Sequence, residues 1–277
     1  MQMADQYVDK VHHLLPAPCV VPQLLQLLNK PDADNNDIVK LISHDPSLTA
    51  NVLRISNSAY FAAATSITSM DEAVARLGSQ QVYRLVVAIS GAMLLAPPKN
   101  SGSTADELLD HSIATAVAAQ LMAKDAGDDE SLVFTAGLLH DLGKIVLAFV
   151  SNDFYKMFQD VESDQSALIE VERKLMGTDH AEIGGCILLR WNFPAELTSA
   201  VQFHHQPGSA LAHQRLAAHV YLGNMVAYLV GQGYGHQPSM PRGDSEALTI
   251  LNLTKDDLQE YVNKTSAQLK TMKGLFH

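Results

Sequence analysis

Residues 106–124 read DELLDHSIATAVAAQLMAK, and this run decides the fold. Leu109, Ile113, Val117 and Leu121 recur at every fourth position, and Ala114, Ala118 and Met122 fill the adjoining face beneath His111. A helix that is apolar on most of its sides is a buried one, so the run predicts a core helix that carries an imidazole. Working outward, apolar residues at three- and four-residue spacing predict further helices over 131–149, 162–176, 179–191, 195–205, 211–231 and 255–272. On the other side, 20–95 reads as a string of short helices opened by Asp34, by Asp45-Pro46-Ser47 and by Ser69-Met70-Asp71-Glu72. These oxygens accept from the first free backbone N–H groups, and a proline just inside a helix forfeits no bond there. β-branched runs bounded by hairpin turns are missing, so the fold class is all-α.

Between Ala96 and Asp106 the periodicity stops at two prolines and a cluster of turn formers. The chain therefore divides into an N-terminal helical lobe (14–96), a linker (97–105), a second helical lobe (106–231), and a loop with a C-terminal helix (232–277), giving a two-lobed helical bundle. The segment 232–248 is a loop by composition. With 277 residues, 47% hydrophobic and 18% charged, the chain is long and apolar enough for a sizeable core. Thirty acidic against 19 basic side chains give a net charge of −11, which repels phosphate backbones, so no nucleic-acid partner is expected. Cys19 and Cys186 form no CxxC unit, which fits a reducing cytoplasm. The first residues lack a basic leader, and Leu85–Ala96, read as the longest apolar stretch, is broken by Ser90-Gly91. Neither an export signal nor a membrane anchor is expected. Met93, Met122, Met157 and Met176 read as core fillers.

Seven histidines, His111, His140, His180, His204, His205, His213 and His219, fall in the second lobe. Leu138-Leu139-His140-Asp141-Leu142-Gly143-Lys144 sets an imidazole beside a carboxylate, with a cation four residues on from the histidine. Such nitrogen and oxygen donors suit divalent iron, manganese or zinc, one or two ions, and a lysine can hold an anion, phosphate above all. His111, His140, His180 and the His204-His205 pair come from separate helices, the usual way in which bundles build metal sites. Any one of them taken alone reads first as a hydrogen-bonded core histidine. As a set they point to a shared pocket, because buried imidazoles are costly unless partnered.

His111 followed by His140-Asp141 and Gly143-Lys144 resembles the HD superfamily of metal-dependent phosphohydrolases. The N-terminal lobe narrows the resemblance. Leu15-Pro16-Ala17-Pro18, Ile42-Ser43-His44-Asp45-Pro46-Ser47-Leu48-Thr49, Leu53-Arg54-Ile55-Ser56-Asn57-Ser58-Ala59-Tyr60 and Ala73-Val74-Ala75-Arg76-Leu77-Gly78 are similar to the HDOD domain, the HD-related output domain of bacterial signalling, over about residues 14–230. Glu172, His180, Ile183-Gly184, Leu188, Trp191, Pro194 and His204-His205 extend the match. The resemblance implies metal ligands at His111, His140, Asp141, His180, His204 and His205, with Asn224 standing where a final Asp belongs. It implies a phosphate-facing Lys144 and, in an active site, catalytic roles for Asp141 and Lys144. After His205, Gln206-Pro207-Gly208 replaces the Glu and Gly-Tyr-Pro segment tied to cyclic di-GMP cleavage in the related HD-GYP phosphodiesterases.

Three functions follow from the sequence. The first is a regulatory module of the HDOD type that works by contact with a signalling protein partner. The second is a metal-dependent phosphohydrolase acting on a phosphorylated small molecule. The third takes Glu72 to Leu85, with Gly78 between two helices, as a helix-turn-helix; only Arg76 and Arg84 are basic there, against Asp71 and Glu72.

Overall fold

The computed structural model describes residues 2–11, 15, 17–30, 34–61, 66–95, 105–150, 165–233 and 244–272. Among these residues all regular structure is helical. The first part of the chain forms α1 (Gln2–Val11), α2 (Val20–Leu28), α3 (Asn35–Ser43), α4 (Pro46–Ser56), α5 (Met70–Leu77) and α6 (Ser79–Leu94). The second part forms α7 (Ala105–Ala126), α8 (Glu130–Leu139), α9 (Leu142–Val150), α10 (Gln165–Met176), α11 (His180–Arg190), α12 (Ala195–Gln202) and α13 (Gln214–Leu229). Two helices close the chain, α14 (Asp244–Leu251) and α15 (Lys255–Met272). The expected linker lies outside the described residues except for Ala105, as do Pro16, Met157 and residues 234–243 of the expected loop.

Local chemistry sets the helix starts. Asp34 accepts the Asn36 N–H at 2.9 Å, Asp45 the Leu48 N–H at 3.0 Å, and Ser69 the Glu72 N–H at 3.2 Å. Glu72 reaches back to the Thr68 N–H at 2.8 Å, so the start of α5 is held from both sides. Each such cap is worth about 1 kcal/mol.

Helices α2 to α6 pack on one another as the first lobe, α7 to α9 and α11 to α13 form the second around α7, α8 and α13, and α10 is tied by hydrogen bonds to the start of α11. A continuous apolar core runs through both. Helix α6 joins them: it packs on α2, α4 and α5 on one side and on α8 on the other. A buried hydrogen bond of 2.7 Å between the Tyr83 hydroxyl and Thr135 Oγ1 lies in that seam, with Arg84 paired to Glu130 at 3.0 Å beside it. Helix α1 precedes the first lobe yet docks on α9 and α11 of the second, with the Tyr7 hydroxyl donating to the Met176 carbonyl at 3.1 Å and Arg190 paired to Asp9.

Several expectations from the sequence change. The run 131–149 is two helices, broken at His140 and Asp141, where the Lys144 N–H takes the Asp141 carbonyl at 2.9 Å in a tight three-residue step. Hydropathy is continuous across the break, so periodicity alone does not reveal it. Helix α12 stops at Gln202, and His204 and His205 sit in the turn beyond it. Pro207 to His213 is a 3-10 stretch with Leu211 at φ 51°, so the next helix starts at Gln214. Residues 244–248 open α14, whose Ala247, Leu248 and Leu251 bury against α7, α13 and α15.

Met93 is 63% exposed, and Met122 is buried as expected. In the α5–α6 corner, α6 buries Val82, Tyr83, Leu85 and Val86, and Arg76 and Arg84 pair with Glu72 and Glu130. Among the described residues Glu130–Val150, and not Leu85–Ala96, is long and apolar enough to cross a bilayer. It is broken by the turn and 89% buried inside the fold.

Candidate metal centre

Five elements deliver the candidate site residues to one place. Helix α7 brings His111, the α8–α9 break brings His140 and Asp141, the first turn of α9 brings Lys144, the start of α11 brings His180, and the turn after α12 brings His204 and His205. Asp179 caps α11 by accepting the Glu182 N–H at 2.8 Å, which fixes His180 as its first residue. Gly143 lets α9 begin against α11, since a Cβ there would lie 1.9 Å from the His180 carbonyl oxygen. Gly223 does the same for α13, where a Cβ would lie 2.7 Å from the Thr115 carbonyl oxygen, one turn along α7 from His111.

Asp141 stands in the middle, 1% exposed. Its Oδ2 lies 2.7 Å from Lys144 Nζ, 3.3 Å from His140 Nε2 and 3.6 Å from His111 Nε2. Its Oδ1 lies 3.3 Å from His180 Nε2 and 4.0 Å from His204 Nε2. His205 Nε2 is 2.9 Å from His180 Nε2, and the His204 and His205 rings are 3.9 Å apart.

The hydrogen bonds fix which ring nitrogen is free. His111 Nδ1–H donates to the Gln232 carbonyl, His140 Nδ1–H to Gly137 and His204 Nδ1–H to Val201, each at 2.7 Å. The Nε2 atoms of all three, and Asp141 Oδ1, are buried with no hydrogen-bond partner among the described residues. Imidazoles held by Nδ1–H on a carbonyl, with Nε2 turned to a common point, are arranged as metal ligands are. Lone pairs on His140 Nε2 and Asp141 Oδ2 facing each other at 3.3 Å repel unless a cation or proton joins them. The residues therefore fit a divalent cation. They fall into two donor sets, His111-His140-Asp141 and His180-His204-His205, each with its ligand atoms within 4.8 Å of one another.

The electrostatics of His111 and His204 agree, whereas His180 is raised because Glu172 outweighs its burial. Burial and the neighbouring His140 push His111 down to about 3, and burial with His140 and His180 holds His204 well below the usual imidazole range. Both are neutral at pH 7, as a ligand must be. Burial opposes ionisation of Asp141, but His140 and Lys144 outweigh it and hold the carboxyl well below the usual range. Lys144 is raised: burial disfavours its charge, and Asp141 more than compensates.

A family model, the HDOD domain, matches residues 14–207. The chain belongs to the HDOD family. An HDOD domain protein of unknown function from Geobacter sulfurreducens superposes with a TM-score of 0.84 at 22% identity, over 99% of this chain and 97% of that one. A candidate phosphohydrolase from Shewanella amazonensis SB2B superposes at 0.73 with 26% identity, covering 98% of each chain. A candidate signal transduction protein from Marinobacter aquaeolei VT8 superposes at 0.75 with 25% identity, over 94% of this chain and 59% of that one. The chain spans 45% and 20% of the lengths of the first two curated relatives that it matches.

In this HDOD chain His111, His140, Asp141, His180, His204, His205 and Lys144 come together as the sequence anticipates. Asn224 is buried on α13, with its Oδ1 lacking a hydrogen-bond partner among the described residues. His219 leaves the set: its Nε2 pairs with Asp128 at 2.6 Å, away from Asp141. Sequence reasoning gave Glu172 no role, yet its buried carboxylate accepts from His180 Nδ1–H at 2.7 Å. It also missed Tyr228, whose ring lies 5.0 Å from that of His111. Neither has a spacing signal, because α10 and α13 meet these histidines only through the tertiary fold.

Proposed function

We propose that the protein is a regulatory HDOD module whose second lobe holds a divalent transition-metal centre, and that it acts in the bacterial cytoplasm by contact with a signalling protein partner. The observation that carries the metal part is the set of three buried imidazoles whose Nδ1–H groups are committed to carbonyls while their Nε2 atoms converge, unpartnered, on Asp141. The regulatory part rests on HDOD membership and on the likeness to a candidate signal transduction protein. Elemental analysis of protein purified without chelator is expected to find iron, manganese or zinc, since imidazoles outnumber carboxylates among the ligands. A His140→Ala, Asp141→Ala double variant is expected to lose it. Unchanged stoichiometric metal in that variant would place the metal elsewhere, for instance at His12 and His13, which lie outside the described residues.

A second reading, a metal-dependent phosphohydrolase, is favoured by one feature: Lys144, buried and 2.7 Å from Asp141, sets an ammonium beside the His111-His140-Asp141 donor set. A bound divalent pair would supply Lewis acidity toward such an oxygen. Asp141 would orient the ligand set, and Lys144 would offset phosphoryl charge. Hydrolysis of bis-p-nitrophenyl phosphate, lost in Asp141→Ala, would support this reading. Cyclic di-GMP turnover is expected to stay at the level of a metal-only control, because Gln206-Pro207-Gly208 replaces the segment tied to that substrate. Turnover above the control, lost on changing His140 and Asp141, would promote the hydrolase over the regulatory module.

A further inference from the structure

The two donor sets differ in what stands behind them. His111, His140 and His204 give Nδ1–H to neutral backbone carbonyls, whereas His180 gives it to a carboxylate, Glu172. Glu172 is fully buried, and its Oε2 accepts both from His180 Nδ1–H at 2.7 Å and from the His180 backbone N–H at 2.8 Å. Two bonds from one oxygen to one residue fix the ring plane and leave Nε2 aimed at Asp141 Oδ1 and His205. The neighbouring Arg173 holds the α11 cap, Asp179, at 2.7 Å, so α10 grips the start of α11 at two points. Glu172 Oε1 has no hydrogen-bond partner among the described residues. A buried carboxylate left this way is costly unless positive charge sits close by.

Asp141 is divided in the same sense. Its Oδ2, facing His111 and His140, is occupied by the Lys144 ammonium, while its Oδ1, 3.3 Å from His180 Nε2 and 4.0 Å from His204 Nε2, has no hydrogen-bond partner among the described residues. A cation entering the His111-His140 half competes with Lys144 for the carboxylate, and one entering the His180 half does not.

Resting on the metal reading above, we propose that Glu172 is a positioning residue that makes the His180-His204-His205 half of the centre the tighter one, so that it fills first and the His111-His140-Asp141 half fills second. A carboxylate behind a ligating imidazole fixes its tautomer and raises its basicity, and removing such a partner weakens metal binding by about 10- to 100-fold.

The test is a titration of the chelator-stripped full chain with Co2+ alone, read by visible absorption and by competition with a chromophoric chelator. Wild type is expected to show a tight and a weaker class of site. Glu172→Gln keeps the shape and an acceptor but loses the charge, and is expected to weaken the tight class about 10-fold; Glu172→Ala is expected to weaken it about 100-fold. The weaker class stays within about twofold in both, an asymmetry that general loosening of the fold would not give. His111→Ala is expected to remove the weaker class and spare the tight one. If Glu172→Ala does not fold, Glu172→Gln decides, with thermal unfolding of the metal-free protein confirming that it is native. The proposal is overturned if both Glu172 variants leave the tight class unchanged, if both classes weaken equally, or if the tight class is lost in His111→Ala and kept in His180→Ala. No cobalt bound by wild type overturns the metal reading itself, and is told apart by needing no variant.

Discussion

Replacing Gly143 with alanine tests the packing that builds the centre. The added Cβ would lie 1.9 Å from the His180 carbonyl oxygen, 2.7 Å from its carbon and 2.9 Å from its Cα. All three are backbone atoms at the start of α11, so no rotamer change relieves the clash. Ordinary contact begins near 3.4 Å, and α9 and α11 must part by about 1.5 Å, well beyond the roughly 0.5 Å that a preorganised site tolerates. Overpacking costs about 1–3 kcal/mol where neighbours can yield, and a backbone that cannot yield puts the cost at or above the upper figure. Alanine recovers about 1 kcal/mol of helix propensity over glycine, leaving a net loss of about 2 kcal/mol or more. Urea unfolding followed by circular dichroism and Trp191 fluorescence measures this loss, and metal content measures the displacement of His180. Gly91→Ala is the control: its Cβ would lie 2.6 Å from Leu138 Cδ2, the movable tip of a side chain, so a smaller loss with metal binding retained is expected. A Gly143→Ala protein as stable as wild type and still binding metal would refute the reasoning.

Two further outcomes are expected. His111 and His204 are held neutral by burial while their unfolded counterparts take up protons below about pH 6.5. The metal-free protein therefore loses up to about 1.4 kcal/mol per pH unit for each as the pH falls from 6.5 towards 5. His180, raised because Glu172 outweighs its burial, has the opposite sign: its contribution is complete below about pH 6.5 and is lost as the pH rises through its folded value, so it does not cancel that slope. Urea midpoints at pH 7.5, 6.5 and 5.5 measure the slope, and a flat profile would contradict it. Asn224→Asp is expected to raise metal stoichiometry or affinity if the unpartnered amide oxygen faces the centre. A loss of about 1–3 kcal/mol in thermal unfolding with no gain in metal would instead mark a buried carboxylate without a cation, and remove Asn224 from the ligand set.

The sequence determined whatever depends on neighbours a turn apart. The four-residue apolar repeat from Leu109 to Leu121 fixes a buried helix, and Asp34, Asp45, Ser69 and Asp179 cap the helices they precede because the N–H groups they satisfy are two or three residues away. His140-Asp141 with Gly143-Lys144, together with His111, His180 and His204-His205, was legible because each residue type is expensive to bury without a purpose. Periodicity records which face is to be covered and not what covers it. The break of the 131–149 run at His140, the docking of α1 on α9 and α11, and the folding of 244–251 onto α7 and α13 are therefore decided only by the assembled core. The free ring nitrogen of His111 is chosen by the carbonyl of Gln232, 121 residues along the chain. That of His180 is chosen by a glutamate on a different helix. Only tertiary structure decides such pairings, because a hydrogen bond depends on distance in space and carries no trace in residue spacing once two helices must meet to form it.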